Sequence, residues 1–147
     1  MEAEYRIKRT FLIRLPHGGD LLESINEICR EKGIESGVIS VIGAVKSAVV
    51  GYYHQEKKEY QAIPLTRPLE IASCTGNISL KNDSTPIAHA HIVLSDEAGI
   101  AAGGHLMPGT AVFAAEAVIT ELEGQPLIRE QKDSLTGLPL WSGVKSA

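Results

Sequence analysis

The sequence predicts an α+β fold: a single domain with a mainly antiparallel, sandwich-like β-sheet and one main helix. Residues 5–15 alternate with the period of a strand, and later runs such as 38–45 and 48–54 are dense in β-branched and aromatic residues. Helical periodicity is clear only between residues 20 and 33. The length suits one domain with a sizeable core. Because only two Phe, four Tyr and one Trp occur, Ile, Leu, Val and Ala must fill most of that core.

The helix and the strand before it have clear boundaries in the sequence. Residues 5–15 alternate and predict a half-buried strand. Asp20 is an N-cap residue after a glycine turn, and Gly33 is a typical helix end. Between them, one helical stripe carries apolar side chains, which predicts a structural helix packed on the sheet: Leu21, Leu22, Ile25, Ile28 and Cys29.

The rest of the chain reads as strands separated by turns. Glycines inside two of these segments, Gly43 and Gly51, predict bulges or close approach of backbones. Alanines in residues 110–122 also fit a helix, but β-branched residues and the preceding Pro108-Gly109 turn favour a strand. We expect a domain at residues 5–130 and a surface tail at 131–147. The predicted strands are 38–45, 48–54, 60–63, 69–80 with an interruption at Gly76-Asn77, two histidine-bearing strands, 110–122 and 127–131.

Three of the five histidines fall close together in the sequence, as His89-Ala90-His91 and Gly103-Gly104-His105. Residues two apart on a strand share a face. If the turn between them is centred on residue 98, His91 and His105 face each other across a hairpin. Three converging imidazoles are the ligand set of an open zinc site.

Alternatives to this metal site remain at the level of sequence. An even-numbered loop would shift the register and send His105 to the opposite face. A bulge at Gly103-Gly104 would also re-aim His105. The three histidines could then be ordinary hydrogen-bonded residues of a strand pair. The small apolar neighbours favour the site, because imidazoles in such surroundings need partners.

Composition limits the classes of function. The net charge of −4 argues against an electrostatic nucleic-acid surface. The basic cluster near Arg6 and Arg9 alternates with apolar residues, as on a solvated strand face. We expect no signal peptide or membrane span, and hence a cytoplasmic protein. Cys29 and Cys74 are predicted to be buried free thiols.

An ordered series of motifs resembles the PPC (plants and prokaryotes conserved) domain. The resemblance runs from about residue 5 to residue 123, and its strength lies in the succession of motifs rather than in any one of them. The motifs are Arg14-Leu15, Gly19-Asp20-Leu21, the run from Gly37 to Val45, Leu69-Glu70-Ile71, Ser73, Gly76-Asn77-Ile78, His89-Ala90-His91, Gly103-Gly104-His105-Leu106 and Gly109-Thr110.

The resemblance implies a mainly antiparallel fold and assembly as a homotrimer. We expect Val38 to Val45 to supply subunit contacts. In plants the domain stands beside AT-hook segments that enter the DNA minor groove, and single-domain prokaryotic members are often labelled DNA-binding by kinship. The present sequence has no Arg-Gly-Arg-Pro hook. Direct DNA binding is therefore not expected.

The fold implied by this family is similar to that of acetolactate decarboxylase, a zinc enzyme whose metal is held by three histidines. His89, His91 and His105 have the matching order, with a His-x-His pair. The resemblance implies bound Zn²⁺, although imidazole ligands also suit copper, nickel or iron. A shared fold does not carry an activity with it.

Two classes of function follow. A trimeric scaffold or regulatory protein would use the metal structurally or to bind a small-molecule ligand. A zinc-dependent enzyme acting on a small carbonyl or carboxylate substrate would need further catalytic groups. Glu70 and Glu116 are the candidate carboxylates and Arg14 the candidate cation, although paired structural residues would look the same. His17 and His54 are expected on the surface.

Overall fold

Nine strands and one helix form the described part of the chain, which in this computed structural model is residues 1–145 without the side chains of residues 130 and 131. All nine strands belong to one sheet. This sheet closes on itself, so the structure does not consist of the two separate layers of a sandwich. The predicted mainly antiparallel sheet with one main helix is confirmed. The elements are β1 (Arg6–Arg14), α1 (Leu21–Lys32), β2 (Gly37–His54), β3 (Glu59–Leu65), β4 (Leu69–Lys81), β5 (Pro86–Ser95), β6 (Ala101–Leu106), β7 (Ala111–Glu123), β8 (Leu127–Lys132) and β9 (Pro139–Val144).

The long strand β2 organises the sheet. Along one edge it pairs with β3 and β4, and along the other edge with β6 and β7. Since β5 pairs with both β4 and β6, the strands β2, β4, β5 and β6 form a closed circuit. β1 pairs with β7 outside this circuit, β8 runs parallel to β4, and β9 pairs with β8. All other pairings are antiparallel. Within the described structure, β5 is hydrogen-bonded to a neighbouring strand along both of its edges.

The helix α1 begins and ends where the sequence predicts. The Asp20 side chain accepts a hydrogen bond from Glu23 N at 2.9 Å, and Gly33 closes the helix with a left-handed φ of 64°. The apolar stripe of the helix is buried in the core, with Leu21 and Ile25 fully covered. Asn26 Oδ1 accepts a hydrogen bond from Ala88 N at 2.9 Å, which ties the helix to β5. The predicted structural role of this helix is confirmed.

Several glycines act as sites of close approach rather than as breaks. The predicted interruption at Gly76-Asn77 is wrong, because β4 continues to Lys81. A Cβ atom at Gly76 would lie 2.2 Å from the carbonyl oxygen of His89, so only glycine lets β5 come this near. Gly43 does form a bulge, with φ 128° and a register shift on β2.

The segment expected to be a surface tail contains a strand. β9 pairs antiparallel with β8 and carries mostly exposed residues, so this part of the segment has regular structure, while residues 146 and 147 lie outside the described part. Sequence reasoning missed it because its Pro, Gly and Ser residues show no period of two. The domain boundary near residue 130 remains a prediction.

A buried carboxylate joins β1 to β7. The Glu121 side chain is 4% exposed and accepts hydrogen bonds from Lys8 Nζ at 3.0 Å and from Arg9 Nε. The hydrogen bond from Arg9, followed by that from Lys8, holds the pKa of Glu121 below its ordinary value against the opposing effect of burial. Two of the basic side chains of β1, Lys8 and Arg9, are therefore committed to an internal ion pair.

We predict that Glu121→Gln lowers the free energy of unfolding by about 1–2 kcal/mol at pH 7, since two half-exposed cations lose a buried partner. The folded protein binds the Glu121 proton less tightly than the unfolded chain does. The stabilisation is therefore present above the unfolded pKa, about 4.3, and is lost as pH falls through the folded value. Urea unfolding at several pH values checks this, and Glu123→Gln, on an exposed strand end, is the control. Equal losses in both variants would contradict the assignment.

Candidate metal centre

The three histidines His89, His91 and His105 lie on adjacent strands, and we call them the histidine cluster. His89 and His91 alternate with buried Ala90 on β5 and therefore point away from the core. His105 on β6 stands directly opposite His91. The predicted register is confirmed, and the pairing of β5 with β6 shows no shift that would indicate a bulge at Gly103-Gly104.

The rings of the histidine cluster converge. Their centroids are 5.5 Å apart for His89 and His91, 5.0 Å for His89 and His105, and 5.5 Å for His91 and His105. One nitrogen from each ring lies within 4.8 Å of the others. Nitrogens bound to one zinc at about 2.0–2.1 Å are about 3–4 Å apart. Small side-chain rotations would thus bring the three rings around a single ion.

The environment of His105 fits a metal ligand. Its Nδ1 atom is buried and has no hydrogen-bond partner among the described residues. The Tyr60 ring stacks on the His105 ring, with centroids 4.9 Å apart. Burial, and then the nearby His91, lowers the pKa of His105. A buried, neutral imidazole nitrogen without a partner is costly in a protein alone, and a metal ion would satisfy it.

Arg129 on β8 is the main residue of this region that sequence reasoning missed. Its guanidinium donates to Ser79 Oγ, Asn77 Oδ1 and the Pro139 carbonyl oxygen, each at 3.0 Å. A further N–H, on Nη2, lies 3.3 Å from His89 Nδ1. The guanidinium also lies 5.1 Å from the centroid of the Trp141 ring. Arg129 therefore links β4, β5 and β9 beside the histidine cluster, and no short motif in the sequence signals this.

The charge of Arg129 bears on His89. Burial is the largest influence on His89, followed by Arg129 and then by the two other histidines, and together they lower the pKa of His89 to about 4. His89 is therefore neutral at pH 7, which is the protonation state that binds a metal.

The predicted catalytic residues lie elsewhere in the chain. Glu70 is exposed and pairs with Ser95, five residues along β4 from the position opposite His91, or roughly 16 Å away at 3.3 Å per residue. Glu116 and Arg14 face each other across β7 and β1, in a shallow depression on the outside of the sheet. Within one chain none of the three contacts the histidine cluster, and their catalytic role stays a prediction without structural support.

The remaining histidines and the cysteines are not part of the histidine cluster. His17 is exposed, with Nδ1 2.6 Å from the Phe113 carbonyl oxygen, and half-buried His54 pairs with Gln61 at 2.8 Å. Cys29 and Cys74 are free and buried, as predicted. Burial raises the pKa of Cys29 to about 12 and that of Cys74 to about 11, so both thiols are protonated at neutral pH. The described part of the chain also has no helix with the length and apolar character needed to cross a bilayer.

These features define a small, mostly β domain that carries a three-histidine cluster on adjacent strands. Residues 2–123 match the Plants and Prokaryotes Conserved (PCC) domain, and the chain belongs to this family. The motif series in the sequence resembles this same family, which is also abbreviated PPC. That identification is confirmed.

Two archaeal structures are similar over nearly the whole chain. The metal-containing protein from Archaeoglobus fulgidus is 45% identical, with a TM-score of 0.92, over 97% of this chain and 99% of that one. The plant- and prokaryote-conserved (PPC) protein from Pyrococcus horikoshii is 41% identical, with a TM-score of 0.89, over 99% of each chain. A curated relative, the bifunctional protein GlmU of Synechococcus sp. (strain JA-3-3Ab), is 28% identical over 130 residues, and the chain spans 20% of its length.

We predict that the His89 imidazole in metal-stripped protein titrates near pH 4, because burial and Arg129 disfavour its protonated form. Nitrogen-15 NMR of the ring across pH 3–8 measures this. In Arg129→Met the pKa should rise but remain below the ordinary histidine value, since burial is the larger cause. A His89 pKa near 6.5 in the parent protein would contradict this account of the site.

Proposed function

We propose that the protein binds one divalent transition-metal ion, Zn²⁺ in the first instance, through His89, His91 and His105. The site would act in small-molecule binding or regulation within a homotrimeric scaffold. The observation that carries the proposal is the convergence of three imidazoles to within 4.8 Å, with a buried, unpaired nitrogen on His105. The similar protein from Archaeoglobus fulgidus is a metal-containing protein, which supports the proposal.

The donor set favours an open site. Three imidazoles leave one position of a tetrahedral zinc for water or a ligand, and no fourth Cys, His, Asp or Glu joins the cluster among the described residues. A bound zinc ion would supply Lewis acidity at that position. The chain itself would hold the ligand nitrogens neutral by burial.

A ligand-binding role has more support than an enzymatic one. Catalysis at the ion would need a group that moves protons, and among the described residues the cavity next to the cluster is lined by Tyr60 but by no carboxylate. The candidates Glu70 and Glu116 lie along other parts of the sheet. A zinc-dependent enzyme acting on a small carbonyl or carboxylate substrate is therefore the alternative proposal.

Direct DNA binding has less support. The net charge is −4, and Lys8 and Arg9, within the one basic cluster of the sequence, pair with Glu121. Non-specific DNA binding depends on basic side chains that are free to meet phosphates. The cytosol remains the proposed compartment, since both cysteines are free thiols.

Elemental analysis by mass spectrometry tests the metal site. We predict about one zinc per chain in untagged protein, and loss of the ion in the double variant His89→Ala/His91→Ala, because one imidazole alone cannot hold it. The matched control is His17→Ala/His54→Ala, which removes the two histidines outside the cluster and should keep the metal. Absence of metal from the parent protein, even after incubation with zinc, would overturn the proposal.

For assembly, we propose that the outer face of β1, β7 and β2 forms the subunit contacts, and the number three comes from the family resemblance. Leu12 stands opposite Val118 and is 82% exposed, and Ile42 nearby on β2 is 60% exposed. These residues line one shallow depression. Exposed apolar side chains that lie together, here beside Arg14 and Glu116, mark an interaction surface.

We predict that light scattering coupled to size exclusion gives three times the mass of one chain for the parent protein. Leu12→Glu should reduce that mass, because a charge would be buried in the contact. Leu135→Glu is the control, since Leu135 is equally exposed, at 84%, but lies after β8, outside this face. A monomeric parent protein, or equal dissociation in both variants, would contradict the proposed face.

A further inference from the structure

A cavity of about 200 Å³ adjoins the histidine cluster. Its polar lining comes from His89, His105, Tyr60 and Arg129. Part of its apolar lining comes from Leu22 on α1 and Leu138, just before β9. One small cavity therefore offers a charged group, imidazoles and aliphatic surface to the same occupant.

The polar part of the cavity lacks negative charge. The guanidinium of Arg129 is half-buried, and its four hydrogen-bonding neighbours are a hydroxyl, an amide oxygen, a carbonyl oxygen and an imidazole, which like the Trp141 ring beside it are all neutral. Among the side chains that the structure describes, no Asp or Glu pairs with Arg129 or lines the cavity. A buried cation without a partner is costly. Within the described part of the chain, the positive charge at this position is thus not matched by an anionic side chain.

A metal ion would increase the imbalance. A divalent ion held by three neutral imidazoles keeps both of its charges, which with Arg129 places three positive charges around one cavity. Arg129 has five N–H donors, and four have partners within the described structure. One N–H remains for a ligand, and the N–H that faces His89 is freed as well when that imidazole gives its lone pair to an ion. The occupant that satisfies this site is an anion.

We propose that the cavity binds a small organic monoanion, a short-chain aliphatic carboxylate. Its carboxylate would contact Arg129 and the open position of the ion, and its chain would pack on Leu22 and Leu138. At about 30 Å³ per water-sized group, the volume suits roughly six to eight non-hydrogen atoms. The proposal rests on the metal site proposed above and adds the class of ligand that the site takes.

Calorimetric titration of zinc-loaded protein with butyrate tests the ligand class. Butyrate should bind, whereas butanol and butylamine, which have the same chain without the negative charge, should not. Across acetate, propionate and butyrate, each added methylene should tighten binding about two- to fourfold as more apolar surface is buried. Inorganic phosphate distinguishes a general anion site from one that also uses the apolar wall.

Variants locate the binding. Arg129→Met should weaken butyrate binding about tenfold or more, since a charge-assisted hydrogen bond is lost. Arg129→Lys should retain part of the affinity. The matched control is Arg67→Met, because Arg67 is an exposed arginine that pairs with Asp96 away from the cavity. The affinity of this variant for butyrate should equal that of the parent protein. The chain-length series in the parent protein remains decisive if Arg129 variants fail to fold.

The zinc content of every sample separates the two proposals. Loss of zinc from the parent protein would overturn the metal site, and the ligand proposal with it. Retained zinc without butyrate binding, equal binding of butanol, or binding of phosphate alone would overturn the ligand class and leave the metal site standing.

Discussion

The register of β5 between its two neighbours is the constraint on which the rest of this site depends. Ala90, Ile92 and Leu94 of β5 are buried in the core, so the intervening residues must face outward. A slip of one residue would bury the imidazoles and expose this apolar row. The free energy that holds the histidine cluster together is thus that of the hydrophobic core beneath it, and no contact among the rings is needed to position them.

Close backbone packing reinforces the register. A Cβ atom at Gly103 would lie 2.3 Å from the Ile92 carbonyl oxygen, and one at Gly104 would lie 2.7 Å from that of Gly51. β6 can therefore fit between β5 and β2 only with glycine at both positions, directly before His105. The Gly-Gly-His series in the sequence reflects this close packing. The two glycines fix where β6 lies, and this sets the position of the His105 imidazole.

Sequence reasoning succeeded where the decisive interactions are local. The caps of α1, Asp20 and Gly33, act within a few residues of themselves, and the opposition of His91 and His105 follows from the length of one hairpin. It failed where distant segments meet. Arg129 reaches His89 from 40 positions away through a parallel strand pair, and no periodicity encodes that contact. Glu70 is a catalytic candidate because it is a polar residue in an apolar strand, but that pattern does not predict how far along the sheet Glu70 lies from the histidine cluster.

The position of each residue relative to the family match explains why the three histidines were easier to predict than their surroundings. The match to the family ends at residue 123, so the three histidines lie inside it while Arg129 and Leu138 lie beyond it. The shared domain would then supply a place for an ion, and the β8–β9 segment would supply the charge and the apolar wall that select a ligand. Because β9 is mostly exposed and makes few demands on the core, its residues can change without disturbing the register of β5. A relative that keeps the histidines but differs after residue 123 would thus hold the same metal and prefer a different ligand.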